Sequence, residues 1–210
     1  MVKRIGIMGG TFNPIHNAHL VLGECSYEQF DLDAVWFMPS KNPPHKLDKN
    51  IASQKHRSNM IIKAIEDNPH FEFSDFELSR QGTTYTAETL TLLKEEYRDT
   101  YFFFILGEDS LFNIENWKTP ELIFEQAHII TARRGSHRQE EIYKHIKYLN
   151  EKYQDCKISI LDTPMFEISS HFIRDNIKED KSIRYYVPKS VKKYIKEKNL
   201  YIGGEVHGFI

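Results

Sequence analysis

Short apolar runs alternate along the chain with longer stretches whose apolar residues recur at helical spacing. The runs RIGIMGG (4–10), AVWFMP (34–39), FEFSDFEL (71–78), YFFFILG (101–107), AHIITAR (127–133) and KISILD (157–162) predict strands. Several are apolar at consecutive positions, the pattern of strands buried on both faces. Helices are expected over 17–30, 53–67, 84–97, 119–126 and 138–152. In 53–67, Met60, Ile61, Ala64 and Ile65 share a face and Pro69 follows the end; in 84–97, Leu90, Leu93 and Tyr97 share one. Strand and helix in alternation mean parallel βαβ units joined by right-handed crossovers. The expected fold is therefore α/β, an open, doubly wound parallel sheet. Ligands of such sheets sit at the carboxyl ends of strands, near the switch in strand order.

The strand pattern stops after Ile168. Pro188 suits a helix start, and Val191, Tyr194 and Ile195 then give a short amphipathic helix. The expected organisation is a single domain over 1–200, with a small helical C-terminal subregion at 168–200 and a frayed tail at 201–210. A chain of 210 residues, 40% hydrophobic, can bury one full core. With 28 basic and 30 acidic residues the net charge is −2, so no global field draws nucleic acid or membrane, and neither is expected as a partner. No apolar run reaches membrane-spanning length, and the first is too short for a signal peptide. Cys25 and Cys156 have no CxxC neighbour, which argues against a zinc site or a disulfide framework and for a reduced, cytoplasmic location.

The first strand ends in GGTFNPIHNAHL (9–20), and here the pattern turns into chemistry. A helix N-terminus presents unpaired N–H groups and the positive end of a dipole, a setting for phosphate. Gly9 and Gly10 would permit positive φ and close approach of a ligand. The string is no dinucleotide fingerprint, because G-x-G-x-x-G counted from Gly6 would need glycine at Met8 and Thr11. Nor is it a P-loop, since no G-K-[ST] follows. What it offers is His16 and His19, three residues apart and so on one face of the helix start. Imidazoles there can donate to phosphoryl oxygens, which suits a reaction that builds charge on phosphate. A metal site is the competing reading; it lacks a third ligand at ordinary spacing. Further along, ISSHFIR (168–174) reads as another helix start, with Ser169 or Ser170 as cap and Arg174 one turn on.

Together these strings resemble the bacterial nicotinate mononucleotide adenylyltransferases, of the H-x-G-H nucleotidylyltransferase superfamily. The resemblance runs over residues 3–200 and rests on GGTFNPIHNAHL, WFMPSKNPPHK (36–46), TTYTAETL (83–90), ILGEDS (105–110), NW (116–117), ARRG (132–135), FEISSHFIRDNI (166–177) and SIRYYVPKSVKKYI (182–195). It implies a Rossmann-like fold. It also implies attack of the mononucleotide phosphate on the α-phosphorus of ATP, with no covalent intermediate and no nucleophilic Ser or Cys. Magnesium would arrive on the ATP phosphates. A homo-oligomer is compatible with the resemblance.

Carried over by motif, the catalytic residues would be His16, His19, Lys46 and Arg174. Gly9, Gly10, Thr11, Phe12, Gly107, Asp109, Arg133 and Ser170 would bind ATP with His16, His19 and Arg174. Thr11, Lys46, Thr84, Tyr85 and Trp117 would bind nicotinate mononucleotide, the backbone amides of 84–85 meeting its carboxylate and Trp117 stacking on its ring. The chain departs from the family pattern at Asn13 (usually Asp), Ala18 (Gly), Glu108 (Ala), Asn113 (often Tyr) and His171 (Thr). Two other readings remain: a relative acting on phosphopantetheine or nicotinamide mononucleotide, and a non-catalytic nucleotide sensor.

Overall fold

A computed structural model describes residues 2–41, 51–132, 139–154, 156–164 and 167–202. Its strands are β1 (Lys3–Gly10), β2 (Ala34–Pro39), β3 (Phe71–Phe73), β4 (Thr100–Gly107), β5 (Ala127–Ala132) and β6 (Ile158–Leu161). They form one sheet in the order β3-β2-β1-β4-β5-β6, and every neighbouring pair is parallel. The order runs outward in both directions from β1 and β4, so the switch point lies between these two strands. Their carboxyl ends carry Gly9 and Gly10 on one side and Gly107 on the other.

The consecutive apolar residues are explained by burial on both faces. Ile5 and Ile7 of β1, with Phe102, Phe104 and Leu106 of β4, enter one core. Met8, Phe103 and Ile105, at alternating positions, enter the other. The helices α1 (Asn17–Gln29) and α2 (Gln54–Ile65) cover the second face. The first is covered by α4 (Thr86–Glu96), α6 (Pro120–Gln126) and α7 (Gln139–Lys152).

Between these lie α3 (Phe76–Ser79), α5 (Glu108–Phe112) and a 3₁₀ turn at Ile114–Asn116. The C-terminal part holds α8 (Ser170–Lys178) and α9 (Lys189–Glu197). Pro188 is the N-cap of α9, and Val191, Tyr194 and Ile195 are its buried face.

Three sequence expectations need correction. The run 71–78 is not one strand: β3 stops at Phe73, and the chain turns through Ser74 into α3 with Asp75 as N-cap. Ser74 Oγ accepts the Phe76 N–H, a local bond that competes with the sheet ladder. Tyr97 is no part of the buried face of α4; it lies past the helix end, 37% exposed, its ring edge-on to Trp36. The expected tail at 201–210 starts with a buried residue, since Tyr201 is only 6% exposed. Residues 203–210 lie outside the described residues.

Cys25 and Cys156 are free thiols, and burial pushes Cys156 up to about 12. Among the described residues no helix is long and apolar enough to cross a membrane.

Candidate active site

The turn after β1 is built by space rather than by glycine's conformational range. Gly9 and Gly10 are the last residues of β1, in extended conformation, so the expected positive φ is not theirs. Phe12 adopts it instead, at φ 49°. A Cβ at Gly9 would meet the Phe104 ring at 3.2 Å, and one at Gly10 the Phe12 ring at 3.3 Å. The glycines thus leave room for two aromatic rings to pack beneath the turn. Phe12 is 2% exposed, with its ring 5.0 Å from that of His19.

His16 is the N-cap of α1 and is 2% exposed. Its ring stacks on His19, centroid to centroid 3.7 Å, and its backbone N–H donates to His19 Nδ1 at 3.2 Å. A ring nitrogen that accepts carries no proton, so the His19 proton sits on Nε2. His19 is thereby set with its Nε2–H as the donor at the helix N-terminus. The pairing follows from the three-residue spacing read in the sequence.

The segment behind the histidines is tied to distant parts of the chain. Asn13, 3% exposed, accepts at Oδ1 from the Ala52 N–H (3.0 Å) and from the Tyr201 hydroxyl (2.8 Å). Burial raises the Tyr201 pKa, opposed by the charges of Arg174 and Arg57, so the phenol stays a donor. Arg174 Nη1 donates to the Asn13 carbonyl at 2.9 Å, and Ser170 Oγ to the Pro14 carbonyl at 2.8 Å. Asn17 donates through its backbone to Tyr186 O and through its side chain to Tyr185 O. Ser169, not Ser170, caps α8, which leaves the Ser170 hydroxyl facing the turn.

The sequence reading missed Arg57. It lies on the buried face of α2 with Met60, Ile61 and Ala64, and is 1% exposed. Its Nη1 donates to the Thr11 carbonyl at 2.8 Å and its Nη2 to the Lys41 carbonyl at 3.4 Å. Burial lowers its pKa, opposed by Tyr201, and a guanidinium nonetheless stays protonated. The signal was present: Arg57 precedes Met60 by three, so helical periodicity puts it on the apolar face.

From the turn a cavity of about 590 Å³ extends to the other predicted cluster. Gly9, Gly10 and Thr11 line it, and so do Thr84, Tyr85 and Trp117. Trp117 is half-buried, edge-on to Phe104 at 6.3 Å. Lys118 Nζ lies 4.2 Å over the Tyr85 ring and pairs with Glu88 at 2.6 Å. Glu77, also unread in the sequence, lines the cavity and accepts from Thr84 and Thr89. Gly107 is the N-cap of α5, and the exposed Asp109 sits in its first turn, at the switch point.

Lys46 and Arg133 lie outside the described residues. Among the departures, Asn113 caps α5 through a bond from Nδ2 to Asp109 O, and the exposed His171 faces Asp175 at 3.2 Å. Ala18 and Glu108 are both buried.

A model of the cytidylyltransferase-like family matches residues 7–176. A probable nicotinate-nucleotide adenylyltransferase of Lachnoclostridium phytofermentans is 47% identical over 201 residues, 96% of this chain and 100% of that one. The chain belongs to this family, among its nicotinate-nucleotide adenylyltransferases. A second member, from Bacillus pumilus, is 36% identical over 95% of this chain and 99% of its own. Among solved structures, the nicotinic acid mononucleotide adenylyltransferase of Plasmodium falciparum complexed with NaAD superposes with a TM-score of 0.77. It is 26% identical and covers 95% of this chain and 97% of its own. The Rossmann-like expectation for the fold thus holds in strand order and in relatives alike.

Proposed function

We propose that this enzyme transfers the adenylyl group of ATP to nicotinate mononucleotide, giving nicotinate adenine dinucleotide (deamido-NAD) and pyrophosphate, a step of NAD biosynthesis. The observation that carries the reading is the cavity linking the β1 turn to Thr84, Tyr85 and Trp117. Its size suits a mononucleotide. A pyridine ring against Trp117 and Tyr85 would leave the nucleotide phosphate at Thr11, beside the histidine pair. The names of the relatives and the NaAD in the Plasmodium complex support the same substrates.

The reaction is in-line attack by a phosphate oxygen on the α-phosphorus of ATP. It asks for positioning and for donors aimed at growing negative charge, not for a nucleophilic side chain. His19 Nε2–H and His16 are assigned to the ATP phosphates, with Lys46, Ser170 and Arg174 completing the grip. Gly107, Asp109 and Arg133 are assigned to the adenosine end. The groups around the turn are imidazole, guanidinium and N–H, which suit phosphoryl oxygens rather than a hard cation. Magnesium therefore fits as an ion carried by ATP, where it would neutralise phosphate charge.

The test is a parallel assay of ATP with nicotinate mononucleotide, nicotinamide mononucleotide and phosphopantetheine. The acid nucleotide is expected to be used best. Preference for either alternative, or no pyrophosphate release with any of them, overturns the reading.

A further inference from the structure

Glu77 is an ionisable group in the cavity wall whose task the substrate assignments leave open. Its Oε1 lies 2.9 Å from Thr89 Oγ1 and its Oε2 lies 3.0 Å from Thr84 Oγ1. Arg80 Nη1 also reaches Thr89 Oγ1, at 2.9 Å. A guanidinium can only donate. Thr89 accepts from Arg80 and donates its single proton to Glu77 Oε1, which makes that oxygen the acceptor of the pair.

The other carboxyl oxygen then decides what Thr84 offers. When Glu77 is ionised, Thr84 donates to Oε2 and presents only lone pairs elsewhere. When Glu77 is neutral, its proton sits on Oε2 and is donated to Thr84 Oγ1, which releases the Thr84 proton for another acceptor. Thr84 and Glu77 both line the cavity, and Thr84 begins the turn assigned to the pyridine substituent.

We propose that Glu77 is a specificity-determining residue acting through Thr84: its neutral form makes the pyridine end a donor site for a carboxylate, and its ionised form an acceptor site for a carboxamide. The proposal rests on the reading of the cavity as a mononucleotide site. Charge points the same way, because an ionised Glu77 would repel a substrate carboxylate in the same enclosed space.

The charged groups around Glu77 leave the switch available. Arg80, past the end of α3, favours the ionised form. Its charge is shared with Glu88 of α4, 3.3 Å away, which Lys118 also pairs. Lys41, beyond β2, donates to the Arg80 carbonyl. Burial raises the Glu77 pKa against the opposing pull of Thr89, Thr84 and Arg80. Binding of the acid substrate would therefore take up a proton at Glu77.

Glu77→Gln tests this, because glutamine imitates the neutral form at every pH. Its Nε2 donates to Thr84 and its Oε1 accepts from Thr89. The measurement is kcat/KM for nicotinate mononucleotide from about pH 5 to about pH 9, for wild type and variant. Their ratio at each pH cancels the titration of the substrate phosphate and of the histidines. Wild type and variant are expected to be about equal at the acid end. Wild type should then fall behind by about tenfold per pH unit once Glu77 ionises. With nicotinamide mononucleotide the same ratio should stay level or rise. A ratio for the acid substrate that does not change with pH overturns the role of Glu77 and leaves the proposed reaction standing. Failure of wild type to make any nicotinate adenine dinucleotide overturns the reaction itself. Glu77→Ala separates proton control from mere support. It should lower kcat/KM for the acid at all pH values without the wild-type slope, and a retained slope overturns the proposal.

Discussion

The two ends of the cavity are held in different ways. The end proposed to take phosphate is one short string, residues 9–19, but its supports come from Ala52, Arg57, Ser170, Arg174 and Tyr201. The end proposed to take the pyridine is held by a relay drawn from nearby sequence, Glu77, Arg80, Thr84, Glu88 and Thr89, with Lys118 joining from the turn beside Trp117. The first needs the whole chain to have closed before the turn is rigid. The second closes around α3 and α4. The difference matches the two tasks. Transfer of a phosphoryl group depends on fixed donors, since small misplacement costs rate steeply. Choice between similar pyridine substituents depends on a few hydrogen-bond directions, which a local relay can set.

Removing a donor itself is expected to have the largest effect. His19→Ala should lower turnover by about 100-fold or more, as for other lost charge-stabilising donors. Pyrophosphate release checks this, and wild-type-like turnover would refute the role of His19. Next comes a distant support. Arg57→Met keeps most of the volume but loses the bond to the Thr11 carbonyl. We expect kcat to fall by about tenfold through a loosened turn. KM for the pyridine nucleotide should change less, because Arg57 contacts the phosphate end. An effect confined to that KM would merge the two ends into one unit.

A smaller effect is expected from Tyr201→Phe. Asn13 Oδ1 keeps the Ala52 N–H and loses one neutral hydrogen bond, worth about 1 kcal/mol. Denaturant unfolding measures it, and no change would mean that Tyr201 does not brace the turn. The smallest effect concerns pH. His56 Nδ1 meets the Tyr194 hydroxyl at 3.0 Å, joining α2 to α9. Burial, with Lys198 and Lys55, holds its pKa below the usual value. The unfolded chain then binds the proton more readily, so stability is full above the ordinary histidine pKa of about 6.5 and declines as pH falls below it. Thermal melts of wild type and His56→Gln at neutral and mildly acid pH should differ in slope, with the variant flatter.

The sequence made the β1 turn legible because its chemistry is compressed into one string. Periodicity likewise exposed the buried faces of α2 and α9. It failed at FEFSDFEL, where alternating apolar residues suit a strand. There the Ser74 and Asp75 turn starts α3 and swings Glu77 from the sheet line into the cavity. A local rule thus gave way at a residue facing the candidate site, where such exceptions are expected. Arg57 was hidden for another reason. Its position implied burial, but its partners are carbonyl groups, and a carbonyl leaves no mark on residue identity.

By itself the sequence determined the alternation of strands and helices, the two-sided burial of the sheet, and the pairing of His16 with His19. Each follows from neighbours along the chain, through side-chain period and helix geometry. Only the tertiary structure decided that β1 and β4 meet at the switch point, and that Asn13 is a structural acceptor rather than a ligand-facing group. The same holds for Tyr201, expected in a loose tail and found buried against the segment behind the histidines. Hydrogen bonds between residues up to 188 positions apart depend on how the layers pack, and no local pattern encodes them.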